Sequence, residues 1–449
     1  MLPVRNRGFV LTSIILAMLV SSMDTTILNI TMPVIAEELG GFRYYAWSFA
    51  SYMILATVTT PLAGRISDLY GRKTIFGFGI AVFMIGSLLC GLANSMPVLI
   101  LFRAVQGFGA GLMLPFPSII AGDLFPLDKR AKIQAAFNIM WGISAVMAPI
   151  LGGLFTEFLG WRWIFFINLP IGLISIICLM AYKDIYKPKR APVDILGGLL
   201  FACAISLLLA VTAADAFQGW LALCGALFLI AFVWYERQAA APLIPVELLK
   251  DRPVAMMAVH TFICCAALMG TSSYVPLFLQ EQGYSVLTSG WALLAMSAGW
   301  AMVGAPSGKW IIRWGYKRLL LIASVIMTGS GVMLSLLHEH TVYAYVVGAM
   351  LLQGIAFGLI FTVTLLSVQQ LVSAHQKGIA TSVVMFARNT GTAVGVTVMG
   401  GILTGAGQFY AGVQHLFWYG SVLSFVAVAL AWMLPEPDLE VFARSLQSD

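Results

Sequence analysis

The sequence predicts an all-α protein that crosses a membrane many times, and three observations lead to that fold class. Of the 449 residues, 60% are hydrophobic and only 10% are charged, whereas soluble domains carry about a quarter charged residues. Apolar runs of about 20 residues, the length that spans a bilayer as a helix, recur along the whole chain. Lys and Arg are concentrated in alternate connections between those runs. Since lipid offers backbone groups no hydrogen-bond partners and the alternating pattern of membrane β-strands is absent, the runs are predicted to be helices.

Fourteen membrane-spanning helices are predicted. Their residues are 9–35, 47–64, 74–93, 98–122, 133–156, 163–181, 194–214, 219–235, 253–276, 287–307, 319–337, 343–370, 378–405 and 416–434. Basic residues mark the cytoplasmic side of a membrane protein. With both termini in the cytoplasm, 21 of the 25 Lys and Arg residues fall in cytoplasmic segments, and only Arg43 and Arg162 lie in external loops. The remaining two, Arg103 and Arg388, lie within the membrane. The net charge of +6 follows from this distribution and suits contact with anionic lipid rather than nucleic acid.

Two motifs occur twice, once in each half of the chain. GRISDLYGRK (64–73) resembles GKWIIRWGYK (308–317), and QGFGAGL (106–112) resembles QGIAFGL (353–359), at offsets of 244 and 247 residues. Parallel repeats with a site between them are a common plan among secondary transporters. The chain is therefore predicted to hold six helices, then two, then six. The parts are an N-terminal bundle (1–182), an inserted pair (183–236), a C-terminal bundle (237–436) and a cytoplasmic tail (437–449).

Further stretches give a family resemblance. They are MDTTILNITMP (23–33), LFRAVQGFGAG (101–111), APILGG (148–153), WRWIFFINLPIG (161–172) and ARNTGTAVG (387–395). With these and GRISDLYGRK, the sequence resembles the major facilitator superfamily, in particular its fourteen-helix drug:proton antiporter branch of the EmrB/QacA type. The resemblance implies a monomeric multidrug efflux protein of the bacterial cell membrane that confers antibiotic resistance. Such a protein exports lipophilic, cationic or neutral drugs by alternating access, is driven by the proton gradient and needs no cofactor. An accessory fusion protein is left open as a partner.

Asp24 is the candidate proton carrier. It lies about 15 residues into its helix, roughly 22 Å along the axis, where a carboxylate costs at least ~2.5 kcal/mol and is usually functional or paired. Burial disfavours its charged form and a nearby cation favours it, so the group can bind and release a proton. Arg103, at a similar depth in the fourth helix, is the expected partner, and the second repeat has Met350 in its place. The family resemblance assigns the Arg103 motif to proton coupling. A permanent structural ion pair is the alternative.

Two other polar groups lie deep in predicted helices. Arg388 either contacts an anionic or carbonyl-bearing substrate, or compensates a charge during the cycle, or forms a structural bond to backbone carbonyls at a helix break. His260 either titrates or is a satisfied packing residue. The six cysteines fall within apolar spans without a disulfide framework or metal-ligand spacing, so they are predicted to pack and no metal site is expected.

GRISDLYGRK is interpreted as a short cytoplasmic loop with a gating role. Gly64 and Gly71 permit close helix approach and a tight turn. The resemblance implies that Asp68 caps the opposing helix near residue 378, where the positive end of the helix favours an anion. It also implies that Arg72 meets an acid at the end of the fourth helix, which would be Asp123.

Two motifs of the N-terminal half are expected to shape its packing and its position in the membrane. In APILGG, Pro149, Gly152 and Gly153 provide the small-residue spacing that permits close helix packing, and they complete the set of gating candidates. In WRWIFFIN, Trp161 and Trp163 are placed at the outer interface, where amphipathic rings favour the headgroups.

Substrate contacts are expected from polar and aromatic residues of the inner helices. The candidates are Asn29, Gln106, Asn138, Trp141, Tyr274, Trp300, Gln353, Phe386, Arg388 and Asn389. The absence of GxxxxGK[ST], HExxH and GxSxG motifs argues against an enzyme or an ATP-driven pump, so energy must come from an ion gradient. The alternative function is a major facilitator exporter or importer of a lipid, siderophore or metabolite.

Overall fold

The structure is a computed structural model that describes residues 7–117, 119–120, 143–144, 146–182, 194–211, 217–239, 242, 251–372 and 377–435. These residues form helices, and none of them belongs to a strand. The prediction of an all-α protein is confirmed.

Fourteen helices in the described residues follow the predicted spans in order. They are α1 Arg7–Leu39, α2 Tyr45–Tyr70, α3 Arg72–Gly91, α4 Met96–Met113, α5 Val146–Leu159, α6 Trp163–Leu179, α7 Ile195–Ala210, α8 Gln218–Glu236, α9 Arg252–Glu281, α10 286–314, α11 316–335, α12 Tyr343–Leu371, α13 Lys377–Gly405 and α14 Phe409–Met433. Within this described part, nine helices are long and apolar enough to cross a membrane, and α5, α6 and α7 are shorter apolar helices. α2 and α13 have 26 and 29 residues but carry more polar side chains.

Helix ends follow from proline and glycine chemistry. α4 ends at Met113, short of the predicted residue 122, because Pro115 has no N–H group and its ring clashes with the preceding turn. Helical residues resume after it at Phe116. α9 has two segments, Arg252–Leu268 and Thr271–Glu281, separated by Met269 and Gly270.

The motif interpreted as a loop is instead the place where two helices meet. α2 continues through Tyr70 and α3 begins at Arg72, so Gly71 alone is non-helical, with φ 92° and ψ 144°. The copy of the motif does the same, because Gly315 between α10 and α11 has φ 74° and ψ 160°. This region of backbone space is essentially restricted to glycine. One glycine in each copy therefore joins two helices, and the loop interpretation is wrong.

The second repeated motif also has the same structural role in both copies. A Cβ atom at Gly107 of α4 would overlap the carbonyl of Tyr52 in α2, and one at Gly354 of α12 would overlap the carbonyl of Met296 in α10. Tyr52 and Met296 are themselves 244 residues apart in the sequence. Glycine is thus required in both halves so that two helix backbones can approach closely.

The chain divides into two compact units. The first comprises Met1–Leu243 with Ser285–Gly290, and the second comprises Ile244–Tyr284 with Trp291–Asp449. In the first unit, α4 packs on α2 and α3, α1 packs on α6, and the inserted pair of α7 and α8 packs together and against α2. In the second unit, α9 packs on α13 and α14. The division into six, two and six helices stays a prediction.

Candidate functional site

Asp24 forms a buried ion pair in the middle of the first unit. Arg103 Nη1 of α4 lies 2.6 Å from Asp24 Oδ2 of α1, and both side chains are 1% exposed. The prediction that Arg103 is the partner of Asp24 is confirmed. A buried charge is tolerated only when it is paired and hydrogen-bonded, and this pair meets that condition.

Gln106 joins the pair to its surroundings. It lies three residues after Arg103, so both side chains project from the same face of α4. Its Oε1 accepts from Arg103 Nη1 at 2.6 Å, and its Nε2 donates to Asp24 Oδ1 at 2.7 Å. The residue was expected to be a substrate contact. Its amide is instead fully engaged in the Asp24 network.

Asn168 and Ser87 complete the network from α6 and α3. Asn168 Nδ2 donates to Asp24 Oδ1 at 3.2 Å and to Ser87 Oγ at 2.8 Å, and Ser87 Oγ donates to the Phe165 carbonyl at 2.9 Å. Sequence reasoning missed both residues and interpreted the WRWIFFIN motif only as an anchor. The sequence did contain a signal for Asn168, because a polar residue inside an apolar run indicates a paired or functional group, as it does for Asp24.

Arg103 is held by more than the carboxylate. Its Nε donates to the Ser48 carbonyl at 3.3 Å, and its Cζ lies 4.3 Å from the centre of the Tyr52 ring. The Tyr52 hydroxyl in turn lies 3.4 Å from Ser21 Oγ. The guanidinium therefore has a carboxylate, an amide oxygen, a carbonyl and an aromatic face around it, which compensates for its removal from water.

Glycine residues allow α4 to lie close to α2 and α3. A Cβ atom at Gly86 of α3 would lie 2.6 Å from the backbone nitrogen of Gln106. Gly107, next along α4, lies against the α2 backbone as described above. Because α4 approaches α3 this closely, Gln106 Nε2 contacts Ser87 Oγ of α3 at 3.2 Å as well as the Asp24 carboxylate of α1.

The network matches the ionised form of Asp24. A carboxylate only accepts hydrogen bonds, and both oxygens here face donors, Arg103 on one side and the amides of Gln106 and Asn168 on the other. A proton on the carboxylate would remove the charge that these donors face and would weaken all three hydrogen bonds.

A second cluster lies in the second unit. The Cζ of Arg388 in α13 lies 4.3 Å from the ring centre of Phe361 in α12 and 5.6 Å from that of Trp300 in α10. The two rings are 5.2 Å apart. Sequence reasoning named Arg388 and Trp300 as substrate contacts without predicting that they meet, and it missed Phe361.

The other substrate candidates differ in how far they are buried. Asn29, Phe386 and Asn389 are partly exposed. Tyr274 is buried and its hydroxyl donates to the Val396 carbonyl at 2.7 Å, and Gln353 is buried with its Nε2 3.5 Å from the Leu268 carbonyl. These contacts favour packing for Tyr274 and Gln353. Asn138 and Trp141 lie outside the described residues.

The gating candidates are described only in part. Asp123 and the side chain of Asp68 lie outside the described residues, so the proposed latch stays a prediction. Gly64 falls within α2, and Arg72 is the first residue of α3 and is partly exposed.

The small residues of APILGG pack as the sequence predicts. A Cβ atom at Gly152 would lie 3.3 Å from Thr31 of α1, and one at Gly153 would lie 3.0 Å from Leu287 at the start of α10. Pro149 lies against Gly290 in the same way. All of these residues belong to the first unit.

Two further expectations concern His260 and the tryptophans. His260 is fully buried, and its Nε2 lies 2.8 Å from Ser324 Oγ, which supports the packing interpretation. Trp163 is 47% exposed, as an interfacial residue should be, but Trp161 is 1% exposed and packs edge-on against Phe165. The anchoring role predicted for Trp161 is wrong, because its ring is enclosed by protein and cannot reach the headgroups.

Comparison with known proteins gives the family context. Residues 14–395 match the family model described as Major Facilitator Superfamily, and residues 257–447 match it again. Multidrug transporter protein MdtP of Bacillus subtilis is 31% identical over 412 residues, which are 89% of this chain and 75% of that protein. Multidrug resistance protein 3 of the same bacterium is 32% identical over 406 residues, which are 88% and 79% of the two chains. Multidrug efflux pump SdrM of Staphylococcus aureus is 28% identical over 86% of this chain and 88% of that protein.

Solved structures show the same fold at low sequence identity. A D-xylose-proton symporter superposes with a TM-score of 0.69 and 13% identity, over 96% of this chain and 97% of that one. The nucleoside transporter NupG superposes with a TM-score of 0.67 and 16% identity, over 94% and 99% of the two chains. At these identities the similarity concerns the fold alone.

Proposed function

The chain belongs to the Major Facilitator Superfamily and is a transporter rather than an enzyme, and from that premise we propose that it is a proton-coupled drug exporter of the fourteen-helix antiporter branch. In this proposal a proton from outside binds Asp24 while a lipophilic, cationic or neutral drug leaves the cell by alternating access. The proton gradient supplies the energy and no cofactor takes part. The protein works as a monomer in a bacterial cell membrane with both termini in the cytoplasm.

The observation that carries the proposal is the buried network around Asp24. A carboxylate with donors on both oxygens is stable when ionised, and a proton on it weakens its bonds with Arg103, Gln106 and Asn168. These three residues come from α4 and α6, so protonation changes the contacts between helices. A change in helix contacts that depends on one proton can bias a two-state conformational equilibrium.

The named relatives supply the substrate side of the proposal. Three of them, from Bacillus subtilis and Staphylococcus aureus, are named as multidrug transport, resistance or efflux proteins and align with most of this chain. A lipophilic drug is therefore the substrate class to test first, ahead of a lipid, siderophore or metabolite.

The test is proton-driven transport by inverted membrane vesicles with an acidic interior. Addition of a transported drug to the wild-type protein should release protons from the vesicles, which a pH-sensitive dye reports. Asp24→Asn should abolish drug-driven proton release and uphill drug uptake, because an amide cannot carry the proton. Binding of the drug to purified protein should persist, because the asparagine can still bond with Gln106.

A matched control lies on the same helix. Glu38 at the end of α1 pairs with Arg162 at 2.5 Å, and both side chains are largely exposed. Glu38→Gln makes the same chemical change outside the buried network and should leave coupling intact. Uphill export at the wild-type rate by Asp24→Asn would refute Asp24 as the carrier. Proton movement in the same direction as the drug would indicate symport instead.

A further inference from the structure

Arg388 is a cation in the middle of the membrane whose hydrogen-bonding groups have no acceptor in the described part of the chain. Its neighbours are Phe361 and Trp300, which present ring faces, and an indole N–H is a donor only. The guanidinium has five N–H donors, and none of the described carboxylates or carbonyls receives them. An arginine at this depth is expensive unless something compensates it, and cation–π contacts supply only about 0.5–2 kcal/mol.

The position of Arg388 excludes a simple structural role. It lies about 12 residues into α13, roughly 17 Å along the axis, and α13 is continuous from Lys377 to Gly405. The predicted structural alternative required a helix break with free carbonyls, and this helix has none there. Three helices of the second unit, α10, α12 and α13, supply the cluster, so the side chain faces protein rather than lipid. Both Arg388 and Trp300 retain partial exposure.

The internal repeat shows that helix packing does not require these aromatic rings. Gly358 of α12 lies against the backbone of Trp300, just as Gly111 of α4 lies against the backbone of Ala56. Trp300 and Ala56 are 244 residues apart, and at the offset of 247 Phe361 corresponds to a leucine. The same helix contact therefore forms in the first unit without either ring. The Phe361 and Trp300 rings therefore serve a purpose other than helix packing.

We propose that Arg388, Phe361 and Trp300 form a substrate subsite for aromatic molecules that carry a carboxylate or carbonyl oxygen. The oxygen accepts hydrogen bonds from the guanidinium, and the aromatic part of the molecule packs against the exposed part of Trp300. The Phe361 ring, 4.3 Å from Cζ, helps to hold the guanidinium in place. This inference rests on the proposed export function and narrows its substrates, because the subsite favours acids and carbonyl compounds over purely cationic drugs. A charge-assisted, bidentate contact is the type that arginine forms best.

The test compares two dyes that differ only at the group in question. Rhodamine B carries a free carboxylate, and its ethyl ester carries none. Fluorescence polarisation with purified protein should show tighter binding of the acid than of the ester by the wild-type protein. Arg388→Gln should weaken binding of the acid by about tenfold or more and binding of the ester by less than about threefold, as expected for loss of a hydrogen bond to a charged group.

Three further variants separate the possible outcomes. Arg388→Lys keeps the charge without the planar fork and should give an intermediate affinity for the acid, which also covers the case that Arg388→Gln fails to fold. Trp300→Ala should weaken the binding of both dyes. Arg313→Gln is the matched control, since Arg313 lies 6.0 Å from the Trp314 ring outside the cluster, and it should change neither affinity.

Equal losses for both dyes in Arg388→Gln would overturn the proposal, and so would a wild-type protein that does not prefer the acid. Because binding is measured without a proton gradient, Asp24→Asn should keep the preference for the acid. A failure of proton coupling would therefore leave this result intact, and the two proposals can fail separately.

Discussion

Replacement of Arg103 by methionine isolates the energy of the buried ion pair. The second repeat has Met350 at the corresponding position, fully buried, so methionine is compatible with a helix contact of this kind. The change leaves Asp24 as a buried carboxylate without a cation, and removal of one member of a buried pair typically costs about 3–5 kcal/mol. Both side chains are 1% exposed, so solvent screening does not reduce this figure.

The measurement is reversible unfolding in mixed micelles, with a double variant as the control. Asp24→Asn together with Arg103→Met leaves no buried charge, so it should recover much of the stability lost by Arg103→Met alone. Coupling energies of contacting residues are commonly about 0.5–3 kcal/mol, and this pair should lie at the upper end. Additive losses in the double variant would refute the reasoning.

Two further variants test other parts of the structure. Asn168→Ala removes one of the two amides that donate to Asp24 Oδ1, so drug-induced proton release in vesicles should fall, and release at the wild-type rate would contradict a role in the network. Gly354→Ala places a methyl group against a backbone carbonyl of α10 and should lower stability by about 1–3 kcal/mol, measured by thermal unfolding. Gly348→Ala, where a Cβ atom would meet nothing within 4 Å, is its control and should be neutral or stabilising.

The helices and the central ion pair could be predicted because the lipid environment constrains both. Lipid requires apolar helices of a certain length and makes each charge within them conspicuous. Asp24 and Arg103 stood out for that reason, and the structure pairs them. The ends of helices were less predictable. Gly71 was read as part of a loop, because the motif that contains it is polar, although one glycine in an unusual conformation is sufficient to join α2 to α3.

The residues that were missed are uncharged ones. Ser87 and Phe361 do not interrupt an apolar run as Asp24 does, and the signal that Asn168 gives inside its run was overlooked. Their importance depends on which helices are neighbours, and that information is non-local. Gln106 was found, but its contact with Asp24 was not predicted, since Asp24 lies 82 positions away.

The repeat separates what the fold requires from what the function requires. Both units keep the glycines that bring helix backbones together, and both keep the glutamine, Gln106 in one and Gln353 in the other. At the offset of 244 residues Asp24 corresponds to Leu268, and the Gln353 amide faces the carbonyl of Leu268 at 3.5 Å. The second unit therefore has apolar residues, Leu268 and Met350, where the first has the acid and the arginine. A charged pair that the second unit does without, in a place where it is expensive, supports the proposed role of Asp24 and Arg103 in proton coupling.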